Sequence, residues 1–591
     1  MADKTKVVLV RPPYSLEIYQ NTYTDRLKVG DKQVEPPMAL MQLAAAVLKQ
    51  GHDVRIIDGE VENLLLDELL EQVQTEHPDV VGVTSTTPEF SNAQLILQRI
   101  KKCMPRVVTV MGGAHATHVP WDIADQIPEL DYVVVYEGEK ALQAIATGDT
   151  ALVNEYSRNA QELLKGAGVE NAHRYAGKIL LGPSQSTDDL EQNTPIRDRP
   201  YIDMSPYRYA DPELGLVYTE SVETARGCPF ACSFCSSARS GLGIRSVDNV
   251  LEELKTLDGR FRKMKQRGFV IFIDDTLTFS RSRATELFEG VVRCGLNFRF
   301  KMFTRANTIA TTNGIKDDID FVKLMKRAGA ATISFGIESG SEVLNKQMRK
   351  GVTLDDYRRA YDVLNKAGVE ERRGSFIVGH PHETEGTIKE SIAFAKELRL
   401  HRIGVNIMTP YPGASVATAA QQGDGIYLEA NSKDWSQYVR WGRSVVSTDE
   451  LSAEALEYWH KRFLAEMYTS GVAVVHVIRE FLKGNGSWFY HRPVIYACRD
   501  RARATVKGTW HHTPDFPKPD HTGYSDQNWG RPHVSKPDCI AVLGKRYGIK
   551  PSRKRDLKVE PLQRKQTHNV RHQAVMSAEI TDGVVEPVQA L

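Results

Sequence analysis

Short apolar runs alternate with amphipathic stretches along the first 140 residues of the 591-residue chain. Between the runs, apolar residues recur at helical spacing, which predicts helices there. The predicted strands cover 7–10, 54–58, 80–84, 107–110 and 133–135, and the clearest helices cover 36–50 and 64–76. This alternation predicts an α/β fold for residues 1–145, with a doubly wound, Rossmann- or flavodoxin-like parallel sheet.

A second alternation of strands and helices fills residues 217–425. One strand is expected just before residue 223, and the others are predicted at 269–273, 298–303, 331–336, 374–378 and 404–408. Six strand–helix units joined by right-handed crossovers would curl into a partial (β/α)6 barrel. We expect the open side of this barrel to admit a large substrate.

The rest of the chain carries weaker patterns. Residues 146–216 are polar and punctuated by Gly and Pro, which predicts a surface linker with a short strand pair around 174–181. Residues 426–500 predict a helical C-terminal region, whose aromatic residues either pack a core of their own or form a wall for a substrate. Residues 501–591 predict a polar, partly disordered tail, with a basic RNA-binding arm as the alternative.

Composition narrows the class of protein. Lys and Arg number 76 against 75 Asp and Glu, so the net charge of +1 gives no reason to expect nucleic acid as a partner. No apolar run approaches the roughly 20 residues that a membrane span needs. The seven cysteines lack the paired spacing of a disulfide framework and suit a reducing compartment, so we expect a cytoplasmic protein.

Three of those cysteines, Cys228, Cys232 and Cys235, form the motif C-x3-C-x2-C. They follow an apolar-alternating strand, which predicts a loop at its carboxyl end, where α/β barrels place their chemistry. Three thiolates can hold three irons of a [4Fe–4S] cluster and leave the fourth iron open to a small molecule. The alternative is a zinc site, although zinc ligands usually come in pairs and the next histidine is His380.

Arg226-Gly227 precedes the motif, and the aromatic residues Phe230 and Phe234 lie between its cysteines. With these neighbours the motif resembles that of the radical S-adenosylmethionine (SAM) superfamily. The resemblance implies that the open iron chelates SAM and that one electron from the cluster cleaves SAM to a 5′-deoxyadenosyl radical. It also implies a low-potential electron donor such as flavodoxin or ferredoxin.

The same resemblance implies SAM contacts at the ends of later strands. Asp275 would face the methionine ammonium group, and Arg305 would hold the SAM carboxylate. Glu338 and Ser339 begin a run that resembles the ribose-contacting segment of the family, in which Gly340 would clear room for the ligand. As alternatives, Asp275 caps a helix and Arg305 forms an ion pair inside the barrel.

Small and hydroxyl-bearing residues follow the predicted strands of the first domain. They resemble the cobalamin-binding domain found ahead of many radical SAM cores, chiefly through the pattern Gly-Gly-x-His-x-Thr. The resemblance implies cobalamin contacts from Ser85, Thr86, Gly112, Gly113, His115, Glu137 and Gly138. As alternatives, His115 caps a turn, and the whole domain is a flavodoxin-like module that only packs against the core.

Two departures from the relatives concern histidine. Other cobalamin proteins supply a histidine to cobalt from a D-x-H-x-x-G loop, but Asp58-Gly59 is followed by no histidine within reach, so cobalamin should be held without one. After the fifth barrel strand, His382 replaces the second glycine of the Gly-x-Pro-Gly-Glu-Thr run that relatives commonly have. His380 and His382 are either turn residues or an acid and base near the substrate.

These features together predict a cytoplasmic, cobalamin-dependent radical SAM enzyme. The adenosyl radical would abstract hydrogen from an unactivated carbon of a small molecule, lipid or tetrapyrrole, and cobalamin would deliver a methyl group to that carbon. One alternative keeps both cofactors but performs a ring-forming oxidation without methyl transfer. The other is a cobalamin- or zinc-binding interaction protein. The sequence identifies no catalytic residue that acts on the substrate.

Overall fold

The computed structural model of the protein describes residues 4–13, 35–183, 187–195, 201–211, 213–311, 314–369 and 371–472, with a few isolated positions beyond 472. Two large sheets organise these residues, and their carboxyl edges carry the predicted site residues. Among the described residues, no helix combines the length and apolar character that crossing a membrane requires.

The first sheet has six strands in the order β2-β1-β3-β4-β5-β6, and every neighbouring pair is parallel. Its strands are β1 (Lys6–Arg11), β2 (Asp53–Asp58), β3 (Val80–Thr84), β4 (Val108–Gly112), β5 (Tyr132–Val135) and β6 (Ile179–Leu181). Its helices are α1 (Met38–Lys49), α2 (Gly59–Glu62), α3 (Leu66–Thr75), α4 (Phe90–Cys103), α5 (Ala114–His118), α6 (Pro120–Gln126), α7 (Glu139–Thr147) and α8 (Thr150–Gly166). The doubly wound sheet is therefore confirmed.

The region after residue 145 differs from the expected linker. It contains helix α8 and strand β6, and β6 is the sixth strand of the first sheet, parallel to β5. The predicted strand pair around 174–181 is wrong, because a 3-10 helix (Ala172–Tyr175) precedes the single strand. Helix α9 (Thr187–Gln192) follows. The reason is burial: α8 packs an apolar stripe against the sheet, and the three residues of β6 are buried.

The second sheet has the order β15-β14-β13-β12-β11-β8-β7, and only the β7–β8 pair is antiparallel. The sheet does not close, because β7 and β15 are its two edges. The strands are β7 (Arg208–Asp211), β8 (Gly215–Val222), β11 (Phe269–Phe272), β12 (Arg299–Thr304), β13 (Ala330–Glu338), β14 (Glu371–Val378) and β15 (Arg402–Ile407), and β9 (Ala225–Arg226) pairs separately with β10 (Gly243–Ile244). Its helices are α10 (Val247–Lys263), α11 (Arg281–Arg293), α12 (Ala306–Ile309), α13 (Ile315–Arg327), α14 (Glu342–Gln347), α15 (Leu354–Lys366), α16 (Glu385–Glu397) and α17 (Ser415–Gln422). Six parallel strands with intervening helices confirm the partial barrel.

The region after residue 425 is less helical than predicted. A two-stranded antiparallel sheet of β16 (Ile426–Leu428) and β17 (Val446–Thr448) encloses two 3-10 turns (Ala430–Lys433 and Trp435–Gln437). Helix α18 (Ala453–Tyr468) follows and packs on β14 and β15. Its buried Trp459 and Phe463 belong to the core, which favours the core-packing interpretation of these aromatic residues. Most of the predicted tail lies outside the described residues.

Candidate cluster, SAM and cobalamin sites

The cysteine loop is held at both ends by the barrel. Before the loop, the Thr224 N–H and hydroxyl donate to the buried Asp274 carboxylate at 2.7 and 2.5 Å. Further along, the Ser240 hydroxyl accepts the Cys228 N–H at 3.0 Å, and the Ser233 N–H donates to the Met348 carbonyl at 2.9 Å. These anchors place the three cysteines at the carboxyl edge of the second sheet.

The three cysteines are partly buried free thiols. Burial raises the pKa of Cys228, and burial together with the nearby Asp275 carboxylate raises the pKa of Cys235 to about 11. Metal binding must therefore displace protons from thiols at this site. Within the described ranges, no three Cys, His, Asp or Glu side chains come together as ligands of a single ion. A cluster has several irons over which the three thiolates can be divided.

Asp275 is exposed and lines a cavity of about 260 Å³ together with Gly227, Ser237 and Ser240 of the cysteine loop. The next helix begins only at Arg281, so the alternative that Asp275 caps a helix is wrong. Its neighbour Asp274 is the residue that anchors the loop. The contact of Asp275 with the SAM ammonium group remains a prediction that this position favours.

Arg305 lies against the cysteine loop. Its guanidinium stacks 3.7 Å from the centre of the Phe230 ring, and Nη1 donates to Cys232 Sγ at 3.7 Å. A second nitrogen donates to the Lys350 carbonyl. These contacts are with the cluster loop and a carbonyl rather than with a carboxylate, which disfavours the ion-pair alternative. A cation beside the thiols suits a site that must hold thiolates and an anionic carboxylate.

Glu338 ends β13 with a positive φ of 70° and pairs with the buried Lys350 at 2.7 Å. Lys350 Nζ also donates to the Gly336 carbonyl at 2.5 Å. A Cβ on Gly336 would meet the Glu338 carboxylate and the Lys350 ammonium group, so a larger residue there would displace the ends of these two side chains. The role of Lys350 was missed at the sequence level, where no partner for the lysine is visible.

Ser339 and Gly340 pack away from any open space. The Ser339 side chain is fully buried, and its hydroxyl lies 3.2 Å from the Ser391 hydroxyl of α16. A Cβ on Gly340 would meet the Ser391 Cα at 2.6 Å. The expected space for ribose beside Gly340 is therefore wrong, since helix α16 fills it, and the contact of Ser339 with SAM remains a prediction.

A cavity of about 330 Å³ lies between the carboxyl edge of the first sheet and the loop after β8. Its lining includes Gly112, Gly113, Glu137 and Gly138 of the predicted set, and also Met38, Gln42, Leu43, Thr84, Thr117, Tyr136, Glu139, Glu223 and Arg226. A Cβ built on Gly112 would have nothing within 4 Å, so this backbone faces open space. A bulky, flat ligand could approach it closely, which is the fit that a corrin ring requires.

Three predicted cobalamin contacts lie elsewhere. The Ser85 hydroxyl donates to the Thr86 carbonyl, and the Thr86 hydroxyl donates to Glu89, both at 2.7 Å. His115 is fully buried, with its ring 5.0 Å from the ring of Trp435 and Nδ1 3.3 Å from the Thr87 hydroxyl. These side chains are used in local packing, and the flanking Thr84 and Thr117 line the cavity instead.

The loop after β2 is shaped by Asp58. The Asp58 carboxylate accepts the N–H groups of Glu60 and Val61 and so caps α2. It also accepts the Tyr207 hydroxyl at 2.6 Å. These hydrogen bonds give Asp58 a structural role.

His382 is a turn residue. Its φ of 61° lies in the region that favours glycine, which accounts for the glycine that relatives commonly have there. Its Nδ1 lies 2.8 Å from the Asp449 carboxylate at the surface. His380 is buried, and burial lowers its pKa to about 4, so its ring is neutral at pH 7. Neither residue lines the two cavities described above.

Two protein families match the sequence. The B12 binding domain matches residues 31–146, and the radical SAM superfamily matches residues 222–395. An uncharacterized methyltransferase of Pyrococcus horikoshii is 32% identical over 412 residues, which cover 69% of this chain and 81% of the relative. An anaerobic magnesium-protoporphyrin IX monomethyl ester cyclase of Rubrivivax gelatinosus is 28% identical over 381 residues, or 64% of this chain and 65% of the cyclase.

A solved structure shares the fold. The radical SAM methyltransferase TsrM of Kitasatospora setae, with cobalamin and a [4Fe–4S] cluster bound, superposes with a TM-score of 0.55 at 16% identity, covering 85% of this chain and all of that one. The fold and the cysteine loop define a radical SAM enzyme. Together with the matching B12 domain, they place this chain in the cobalamin-binding radical SAM family. Its cofactors are a [4Fe–4S] cluster, SAM and cobalamin, which sets aside the interaction-protein alternative.

Proposed function

We propose that the protein transfers a methyl group to an unactivated carbon of a small molecule. The observation that supports this most directly is a shared wall: Glu223, Arg226 and Ile273 line both the cavity at the first sheet and the cavity beside the cysteine loop. When bound, cobalamin supplies a methyl carrier, and the cluster with SAM supplies a hydrogen-abstracting radical. Adjacent cavities favour the presentation of one substrate to both cofactors.

The concave face of the barrel favours an apolar or flat substrate. Phe300 and Met302 of β12 are buried in the core, and the alternation of the strand places Phe303 on the opposite face, where it is 45% exposed. An exposed aromatic ring at this position can stack on a substrate ring or pack on a hydrocarbon. On β15, a Cβ added to Gly404 would meet only the Ser375 hydroxyl, at 3.6 Å, which leaves room across the face.

The chain's own residues would position SAM and exclude water from it. Arg305 lies against Phe230 and Cys232 of the cluster loop, where its charge would attract an anionic carboxylate, and Asp275, of opposite charge, lines the polar cavity beside that loop. Glu338 is held by Lys350 at the end of β13, so its carboxylate is oriented before any ligand arrives.

A ring-forming oxidation without methyl transfer is the second candidate. The 28% identical cyclase relative favours it, because that protein's name assigns a tetrapyrrole substrate. In either case we propose a low-potential electron donor such as flavodoxin or ferredoxin, and a cytoplasmic setting in which the exposed free thiols Cys103 and Cys294 remain reduced.

Isotope transfer tests the proposal. The anaerobically reconstituted, cobalamin-loaded enzyme is reduced and incubated with SAM carrying a deuterated methyl group and with a small-molecule extract of cells that lack the gene. We expect 5′-deoxyadenosine together with a product that carries the deuterated methyl. A substrate-dependent product without label, formed along with 5′-deoxyadenosine, would contradict methyl transfer and support the cyclase candidate.

A further inference from the structure

Arg226 lies where the two domains meet, in the wall shared by the two cavities. It is two residues from Cys228 and belongs to the short strand β9 that begins the cysteine loop. Its guanidinium contacts Gln42, Glu137 and Glu139 of the first domain. It therefore connects the backbone of the cluster loop to the cavity assigned to cobalamin.

Carboxylates from both domains surround the Arg226 guanidinium. Nη1 lies 3.2 Å from Glu137 and 3.3 Å from Glu139, both of which follow β5 in the first domain. Nη2 lies 3.0 Å from Glu223, which precedes the cysteine loop. Nη2 also donates to the Gln42 amide oxygen at 2.8 Å, and the Gln42 amide nitrogen donates to Glu223 at 2.8 Å. Every one of these partners lines the cavity of about 330 Å³.

This cluster is largely buried, and within the described part of the chain Arg226 supplies the cation that pairs with these carboxylates. The side chains of Glu137 and Glu139 are 6% and 5% exposed, and that of Arg226 is 22% exposed. Without the guanidinium, three carboxylates would face one another across a poorly hydrated interface, and they would repel.

We propose that Arg226 is a positioning residue that fixes the cluster loop against the cobalamin cavity, with its guanidinium holding the walls of that cavity together. Cobalamin binding would then depend on a residue of the barrel that precedes the first cysteine. The inference concerns cofactor placement and does not depend on methyl transfer, because it applies equally to a cyclase.

Cobalamin titration of substituted, cluster-reconstituted enzymes tests the proposal. Arg226→Gln removes the charge and should weaken hydroxocobalamin binding by about tenfold or more, while iron and sulfide content stay at the wild-type level. Arg226→Lys keeps the positive charge but replaces the two terminal nitrogens of the guanidinium with one, and it should give an intermediate cobalamin affinity. Arg281→Gln is the matched control, since Arg281 pairs with the buried Asp318 at 2.6 Å and lines neither cavity.

A double substitution separates positioning from simple loss of folding. Glu139→Gln removes one of the carboxylates that Arg226 neutralises, so Arg226→Gln combined with Glu139→Gln should bind cobalamin more tightly than Arg226→Gln alone. General destabilisation would instead make the two losses add. The proposal is overturned if Arg226→Gln binds within twofold of the wild type, if Arg281→Gln weakens binding equally, or if the double substitution shows additive loss. All of these outcomes are read from binding, so a failure of methyl transfer would leave the test intact.

Discussion

At the residue scale, Gly112 is a backbone position where the first sheet opens onto the cavity that we propose for cobalamin. A Cβ there meets nothing within 4 Å, so Gly112→Val should fold but fill space that the cofactor needs. We expect the reconstituted protein to retain its iron and lose most of its cobalamin, as measured by the visible absorbance of the purified protein. Gly259→Val is the control, because a Cβ on Gly259 in helix α10 also meets nothing and Gly259 lies outside the cavity. Equal cobalamin content in both variants would contradict the cavity assignment.

The second prediction at the residue scale concerns the buried Glu383 carboxyl and the pH dependence of stability. The residue is fully buried, and burial raises the pKa of its carboxyl to about 8, although the Gly379 and His380 N–H groups both donate to it. Because the folded-state pKa exceeds the unfolded one, the stabilising effect is complete below about pH 4 and is lost as the pH rises through about 8. Chemical denaturation of the wild type should show this decline between pH 5 and pH 8.5.

The neutral amide of Glu383→Gln should flatten that decline, so the variant loses stability relative to the wild type at low pH and gains at high pH. The difference should amount to a few kcal/mol, on the order of 1.4 kcal/mol for each pKa unit. Glu390→Gln changes an exposed glutamate of α16, the helix that follows Glu383, and should leave the pH profile unchanged. Parallel profiles for the wild type and Glu383→Gln would show that the buried carboxyl does not titrate in this range.

The residue scale also shows which parts of the candidate site the sequence could suggest. The three cysteines, Gly112 and Gly113 could be proposed as site residues because motif spacing and small residues at strand ends reflect backbone requirements, and both glycines line the cavity at the first sheet. Ser85, Thr86 and His115 belong to the same strand ends, but the tight turns after β3 and β4 direct their side chains into local packing. The direction of a side chain within a turn depends on tertiary contacts, which the periodicity of one sequence does not contain.

At the element scale, helix α8 and strand β6 complete the first sheet and give a prediction. Leu163 of α8 is 1% exposed and belongs to the core on that face of the sheet. Leu163→Ala should lower the free energy of unfolding by about 2–5 kcal/mol, as buried leucine truncations do. Unfolding by denaturant measures this free energy. The control is Leu216→Ala at an exposed leucine, which should change the free energy of unfolding by less than about 0.5 kcal/mol. Similar losses for both would mean that α8 does not share this core.

The elements that were predicted correctly are those with a clear period. Strands β1, β3 and β5 are continuous valine-rich runs. Helices α15 and α16 repeat apolar residues at helical spacing, and each begins after an N-cap threonine, Thr353 for α15 and Thr384 for α16. Helix α8 was missed because the Gly and Pro of the surrounding region were given more weight than its own apolar stripe. The hairpin of β16 and β17 was missed because each strand has only three residues, too few for a period of two to stand out.

At the scale of the whole molecule, the two sheets bring their carboxyl edges to one interface. Polar bridges cross it: Arg226 reaches Glu137 and Glu139, and the Trp435 indole N–H donates to Asp122 at 3.3 Å. A Cβ on Gly413, after β15, would lie 2.3 Å from the His118 ring of the first domain, so the approach there is close. Contacts of this kind link residues 87 to 313 positions apart, and no local pattern in the sequence specifies them.

The separation of the sites between the two sheets gives the last prediction. Replacing Cys228, Cys232 and Cys235 together by alanine removes every thiol of the cluster loop but leaves Arg226 and the other residues that line the cobalamin cavity. Iron and sulfide should fall to background and 5′-deoxyadenosine formation should cease, because no thiolate remains to hold the cluster. Cobalamin affinity should stay within about threefold of the wild type, since the start of the loop remains tied through Thr224 to Asp274 and through Arg226 to Glu223. Retained iron would overturn the cluster assignment, and lost cobalamin would mean that the two sites form only as one unit.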